Sequence, residues 1–142
     1  MPHNIMRRTL LVLTIAACAG CMNYSDKISE QFEASGNKRI DLKAAVPTDW
    51  DRVCVVGPYQ DDAFVEKTLG FAWPAERKTS IEDNDGISLL LFAKGQSVVA
   101  HVEYPRNHGD FTELEGQCFN PQKARFRNFP SGPDNWPRLV PE

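Results

Sequence analysis

No stretch of this chain reaches 18 consecutive apolar residues, the least that a membrane-crossing helix demands. Basic charge is not in excess either. Sixteen Lys and Arg stand against nineteen Asp and Glu, a net of -3, so composition suggests no polyanion-binding surface and no nucleic-acid partner. The nine glycines are scattered singly, so there is no glycine-rich loop to cradle a phosphate. No internal repeat is visible. What remains is 142 residues, 42% hydrophobic and 25% charged, which is the composition of one ordinary folded domain.

Acid is also missing from the N-terminus: no Asp or Glu precedes Asp26, whereas Arg7 and Arg8 lie in that stretch. After them comes an apolar run of eight residues, Leu10 to Ala17. It is too short to span a bilayer and suits the centre of an export signal. The next residues, Cys18-Ala19-Gly20-Cys21, resemble a bacterial lipobox, in which small residues precede a Cys that receives a diacylglyceryl group before cleavage. Cys18 stands where Leu is usual. The resemblance implies a signal peptide over 1–20, lipidation of Cys21 and the lipid bilayer as a partner. Met22, rather than Asp, follows that Cys, which points to the outer membrane and a periplasm-facing domain rather than to the inner membrane. Removal of residues 1–20 would leave 14 basic and 19 acidic residues, or -5.

Residues 21–37 then read as the lipidated Cys and a flexible tether, polar and rich in small residues. Ile28 and Phe32 are four apart, so a short helix beginning near Ser25 is the competing reading. As a coil this segment would reach about 20–24 Å.

The folded domain is predicted over 38–129. Arg39 to Leu42 reads as a first strand, and Arg52 to Val56 as a central one, closed by Gly57-Pro58. Asp61 to Leu69 is predicted to be a helix, with acids at the positive end of its dipole, Gly70 as its stop, and Phe64, Val65 and Leu69 as its buried stripe. Ile87 to Ala93 and Ser97 to Tyr104, separated by Lys94-Gly95-Gln96, predict an antiparallel hairpin. Val98, Ala100, Val102 and Tyr104 alternate onto one face, with His101 and Glu103 on the other. Phe111 to Leu114 reads as a brief extended segment, and Ala124 to Phe129 as a strand with Phe126 inward. Residues 130–142 hold four of the ten prolines and read as an irregular tail that Trp136 could pin to the domain. The fold class is therefore α+β: a small antiparallel sheet of four or five strands with one short helix packed on it.

Trp50-Asp51-Arg52-Val53, Gly57-Pro58-Tyr59 and Leu69-Gly70-Phe71, and the later Val102-Glu103-Tyr104-Pro105-Arg106 with Gly109-Asp110-Phe111, resemble a group of small uncharacterised bacterial lipoproteins. Such proteins carry a "WD-x-V-x-V-x-x-PY" strand and a later "EYPR…GDF" segment. The likeness covers residues 38–129 and implies no activity and no functional residues. Members of the group often have an aromatic where this chain has Cys54, so the pairing of Cys54 with Cys118 rests on counting alone. With Cys18 removed and Cys21 lipidated, these two form an even pair in an oxidising compartment, where a disulfide would be expected. The plainer reading is two separate buried thiols.

Four constellations could carry chemistry. Asp83-Asn84-Asp85-Gly86 has the crowded oxygens of a calcium loop but lacks the acids that an EF-hand needs at Ile81 and Phe92, so it reads as a turn. His101, Glu103, His108 and Asp110 could form a zinc or acid–base site, although a wet sheet face explains them as well. Arg106, Arg125 and Arg127 could meet around an anion, or simply protect a sheet edge. Asp49, Asp51, Asp61 and Asp62 could supply glycosidase-like paired carboxylates. On balance no catalytic residue, metal or cofactor is assigned. The expected role is a non-enzymatic, membrane-anchored periplasmic module with a possible protein partner. An inhibitor or immunity-type lipoprotein and a small hydrolase using the His101–Asp110 cluster are the alternatives.

Overall fold

The computed structural model describes residues 23–130, 132 and 135–142. Cys21 and its signal therefore lie outside the described residues. The fold is α+β, built on two small antiparallel sheets rather than one.

The larger sheet has the order β4-β3-β2-β5, from β2 (Arg52–Val56), β3 (Ile87–Lys94), β4 (Ser97–Pro105) and β5 (Cys118–Phe119). The two central strands are the two sequences that are apolar on both faces. In β2, Val53 and Val55 point one way and Cys54 and Val56 the other, and all four are fully buried. In β3, Leu90 and Phe92 join the first side, while Ile87, Leu89, Leu91 and Ala93 join the second. Period-two alternation in a strand covered on both faces favours apolar residues at every position, which is why these runs read as nearly continuous, with Ser88 of β3 the one buried polar side chain among the described residues.

On the second side lies α3 (Asp62–Leu69), where the sequence predicts a helix. The Asp61 carboxylate accepts from the Phe64 N–H at 2.9 Å, and Gly70 ends the helix in the left-handed conformation, φ 88°. Val65 and Leu69 are buried against β2 and β3, with Phe64 half-buried beside them. The short helix α4 (Ala75–Lys78) and Ile81 complete this layer.

On the first side lies the smaller sheet, ordered β1-β6-β7 and made of β1 (Arg39–Asp41), β6 (Arg125–Phe129) and β7 (Arg138–Pro141). Leu42 opens the short helix α2 (Leu42–Ala45) instead of extending β1. Ile40, Phe126 and Leu139 are buried between the sheets, together with Trp50, Tyr104 and Phe111. The Trp50 indole donates to the Val46 carbonyl at 2.8 Å, so its polar atom is satisfied within the core.

Four expectations are corrected here. Residues 24–34 are not a tether. They form helix α1 (Tyr24–Ala34), capped by Asn23 through the Asp26 N–H at 2.9 Å. Ile28 and Phe32 are buried, each contributing about 1.5–3 kcal/mol of apolar burial. Gln31 exchanges two hydrogen bonds with the backbone of Asp41, at 2.7 and 3.0 Å, and this locks the helix to β1. The C-terminus is no irregular tail either, because β7 pairs with β6 and buries Leu139. Thr112–Leu114 is a 3-10 turn rather than an extended piece. Finally, Val98 leaves the face of Ala100, Val102 and Tyr104. Phe92 faces Ala100 whereas Ala93 faces Val98, so Val99 is an extra residue, and this bulge sends Val98 to the α3 side.

Cys54 and Cys118 face each other across β2 and β5 and form the disulfide, with their Cα atoms 4.1 Å apart. The bond secures a two-residue edge strand that has little else to hold it.

Candidate functional site

The residues singled out from sequence do not gather into one centre. His101 stacks against Trp73, with ring centroids 5.2 Å apart, and Glu103 accepts from the Ser80 N–H and hydroxyl at 2.6 and 2.7 Å. Both face the α3 side of the sheet, opposite Leu91 and Leu89. His108 lies on the other side, its Nδ1 3.0 Å from the Ser29 hydroxyl of α1. No group of three metal-ligating side chains occurs among the described residues.

The four aspartates are likewise engaged in local structure. Asp49 pairs with Lys94. Asp51 accepts from the Gly95 N–H and from Arg52, both at 2.6 Å, thereby tying the β3–β4 turn to the start of β2. Those contacts, the Gly95 N–H foremost, hold the Asp51 carboxyl below its ordinary pKa. Asp61 caps α3, while Asp62 and Glu76 each accept from the other's backbone N–H. Asp85-Gly86 makes a turn in which Asn84 Oδ1 accepts from the Gly86 N–H at 2.9 Å.

The three arginines also part company. Arg125 sits 3.9 Å from both Asp41 and Glu142, and Arg127 lies over the Phe129 ring. Arg106 alone enters a concave site. There the chain leaves β4 through a 3-10 turn, Arg106–His108, and reaches Gly109 at φ 155°. An added Cβ at Gly109 would stand 2.9 Å from Leu139 Cδ1, so only glycine lets this corner close onto β7. Asp110 then bridges to Arg138 by backbone pairing, with its N–H donating to the Pro137 carbonyl at 2.6 Å.

The result is a cleft of about 450 Å³ lined by Arg106, Asp110, Thr112, Glu113, Trp136 and Arg138, among others. Arg106 grips Asp110 with two donors, at 3.2 and 3.1 Å, and gives a third to the Asp85 carbonyl at 2.8 Å. Asp110 also accepts from the Thr112 N–H at 3.0 Å. Arg138 pairs with Glu113 at 2.6 Å. Each cation is thus matched by a carboxylate, and the cleft carries both charges without an excess of either.

The Trp136 ring lines it. The Arg106 guanidinium lies 4.8 Å from the Trp136 ring centroid, and that of Arg138 lies 5.0 Å from Phe129. Tyr59, next to Asp85, has φ 65°, a left-handed conformation that costs a non-glycine residue of order 1–3 kcal/mol. Desolvation, followed by the Asp85 carboxylate, pushes its phenol above the ordinary pKa, and Arg106 opposes that. Four large hydrophobic side chains are exposed among the described residues, and three of them are these aromatics: Tyr59, Phe129 and Trp136.

A second groove, about 340 Å³, runs between the start of α1 and β4 and includes His101 and Glu103. It has neither paired ions nor exposed rings of this kind. Sequence reading had access to Arg106 and Asp110 at a spacing of four. It could not bring Glu113, Trp136 and Arg138 to that pair, because the last two reach it only when β7 pairs. No protein-family model, curated protein or solved structure matches the chain.

Proposed function

We propose that this protein is a non-enzymatic binding module, anchored to a membrane through an acylated Cys21 and facing the periplasm, with the Arg106–Trp136 cleft as its binding surface. The observation that carries the reading is the cleft itself. Folding alone gives no reason to expose Trp136 in a concave, ion-paired cleft, with two further exposed rings, Phe129 and Tyr59, lying against Arg138 and near Asp85. A left-handed Tyr59, near the Asp85 whose carbonyl Arg106 holds, adds backbone strain, which accumulates where a protein meets ligands. The anchor is supported by the sequence from Arg7-Arg8 through Leu10–Ala17 to Ala19-Gly20-Cys21. The Cys54–Cys118 bond is the chemistry of an oxidising compartment. A hydrolase on the His101–Asp110 cluster receives no support, since those groups hold separate partners on opposite sides of the sheet.

Two measurements test this. Cys21→Ala should abolish incorporation of labelled fatty acid and partitioning into detergent, and continued labelling would refute the anchor. A photo-crosslinking amino acid at Thr112, in the cleft, should give an adduct in cells that Trp136→Ala removes. The same probe at Glu66, on α3, serves as the control site. Equal adducts at both positions would refute the cleft as the binding surface.

A further inference from the structure

The chemistry of the cleft narrows what it binds. We infer that its ligand is a neutral glycan, an oligomer of hexopyranose units lying across Trp136 and the Arg106–Asp110 floor. The inference rests on the reading of the cleft as a binding surface, and it can fail separately from it.

Charge argues first. Asp110 occupies two donors of Arg106, and both side chains are largely sheltered, with 23% and 19% of their surface exposed. An anionic ligand would find both cations already matched and would meet the Asp110 and Glu113 carboxylates beside them. A cationic ligand would meet the two guanidinium groups in the same way. A neutral ligand meets neither repulsion.

Hydrogen-bonding capacity argues next. Arg106 has five N–H donors and commits one from each of its three nitrogens, so two remain. Asp110 accepts three bonds where a carboxylate has about four lone-pair sites. Both donors of Arg138 reach Glu113 through the same oxygen, Oε2, and Oε1 takes neither. The floor therefore keeps both donors and acceptors open to a ligand. A hydroxyl group both donates and accepts, and neighbouring hydroxyls on a sugar ring can use both kinds.

The rings argue last. Trp136 is 45% exposed and Phe129 is 42% exposed, each with a guanidinium stacked against it. A flat indole offers dispersion and C–H contact to the apolar face of a pyranose, while the polar edge of the sugar meets the charged floor. A purely apolar ligand would leave those paired ions desolvated. Only a ligand with one apolar face and many hydroxyls satisfies both parts of the site.

The test is calorimetric titration of the full-length protein in detergent with chitotetraose and maltotetraose as neutral probes. Tetragalacturonate and inorganic phosphate serve as the charged probes. At least one neutral probe should bind saturably at sub-millimolar to millimolar concentration. That binding should change less than twofold between 0.05 and 0.5 M NaCl, weaken at least tenfold in Trp136→Ala and recover largely in Trp136→Phe. Because Trp136 lies on the surface, circular dichroism of the variant should match the parent protein. No saturable binding of either neutral probe below 10 mM, or tighter binding of a charged probe, would overturn the inference. So would neutral binding that Trp136→Ala leaves intact. A protein adduct at Thr112 together with failure of both neutral probes would keep the binding surface and discard the glycan.

Discussion

The two faces of the larger sheet are built in different ways. The α3 side draws nearly all of its core from one continuous stretch, Cys54 to Ala93, with Val98 added at the hairpin. The α1 side draws its core from Ile28 to Leu139, so both ends of the chain must come home before it closes. One face is local and the other is global. Local contacts form at small cost in loop-closure entropy, whereas the global face must first bring distant segments together. The candidate site belongs to the global face: Arg106 and Asp110 come from the exit of β4, and Trp136 and Arg138 from the entry to β7.

Truncation in each core would sharpen the contrast. Phe126→Ala should cost about 3–5 kcal/mol, measured by urea denaturation, because Phe126 packs edge-on against both Phe111 and Phe119. The loss should spread to the smaller sheet and the cleft. Leu69→Ala, on the local face, should cost about 2–5 kcal/mol while leaving amide exchange in β6 and β7 less affected than Phe126→Ala does. Equal exchange in both variants would show that the two faces unfold as one.

The disulfide should have the next largest effect. Its partners are 64 residues apart, and a loop of that length corresponds to about 4 kcal/mol on the chain-entropy account. A Cys54→Ala, Cys118→Ala double variant should lose about 2–4 kcal/mol in chemical denaturation. A loss below about 1 kcal/mol would mean that β5 is held by its neighbours instead.

Gly109→Ala should be milder and aimed at the global face. A methyl group there collides with Leu139 and the backbone stands at φ 155°, so a cost of about 1–3 kcal/mol is expected. Protection of the β6–β7 amides from exchange should fall in proportion.

The smallest effect belongs to the hairpin turn. Asp51 has its pKa lowered in the folded state, so its contribution is present above the unfolded carboxyl value and is lost as pH falls through the folded one. Asp51→Asn should cost about 0.5–1 kcal/mol near neutrality. It should also flatten the loss of stability in acid, below the ordinary carboxyl value of 3.8. An unchanged acid profile would refute that role.

How far the sequence could be read follows the same division. Strand β2, helix α3 and the β3–β4 hairpin announce themselves through a continuous run rich in β-branched residues and closed by Gly57-Pro58, an acidic cap with a glycine stop, and a Gly-containing turn. Each is decided by its neighbours in the chain. Helix α1 has only Ile28 and Phe32 as buried residues, too thin a stripe to distinguish it from a polar linker, and it owes its place to packing. Strand β7 lies in a proline-rich stretch and survives because it is an edge, with Pro141 at its last position. The Val99 bulge reverses one side chain without any mark in the alternating pattern. The cleft inherits this opacity, since Trp136 and Arg138 reach it only through the strand that local rules would not draw.

Helix α1 also works as a ruler. Its eleven residues rise about 16 Å. It begins with Tyr24 and Ser25 beside the middle of β4 and ends with Phe32 and Glu33 beside Asn107 and Pro137, one residue from Trp136. Cys21 precedes the cap residue Asn23 by two positions, or about 7 Å of extended chain. An acyl group at that Cys would therefore be coupled to a docked helix, not to a leash. With Cys21 acylated as proposed, α1 would stand between the anchor and the cleft, and its length would enter the height of the cleft above the headgroups. Three glycines inserted between Met22 and Asn23 would blur that height while leaving every packed contact of the domain in place.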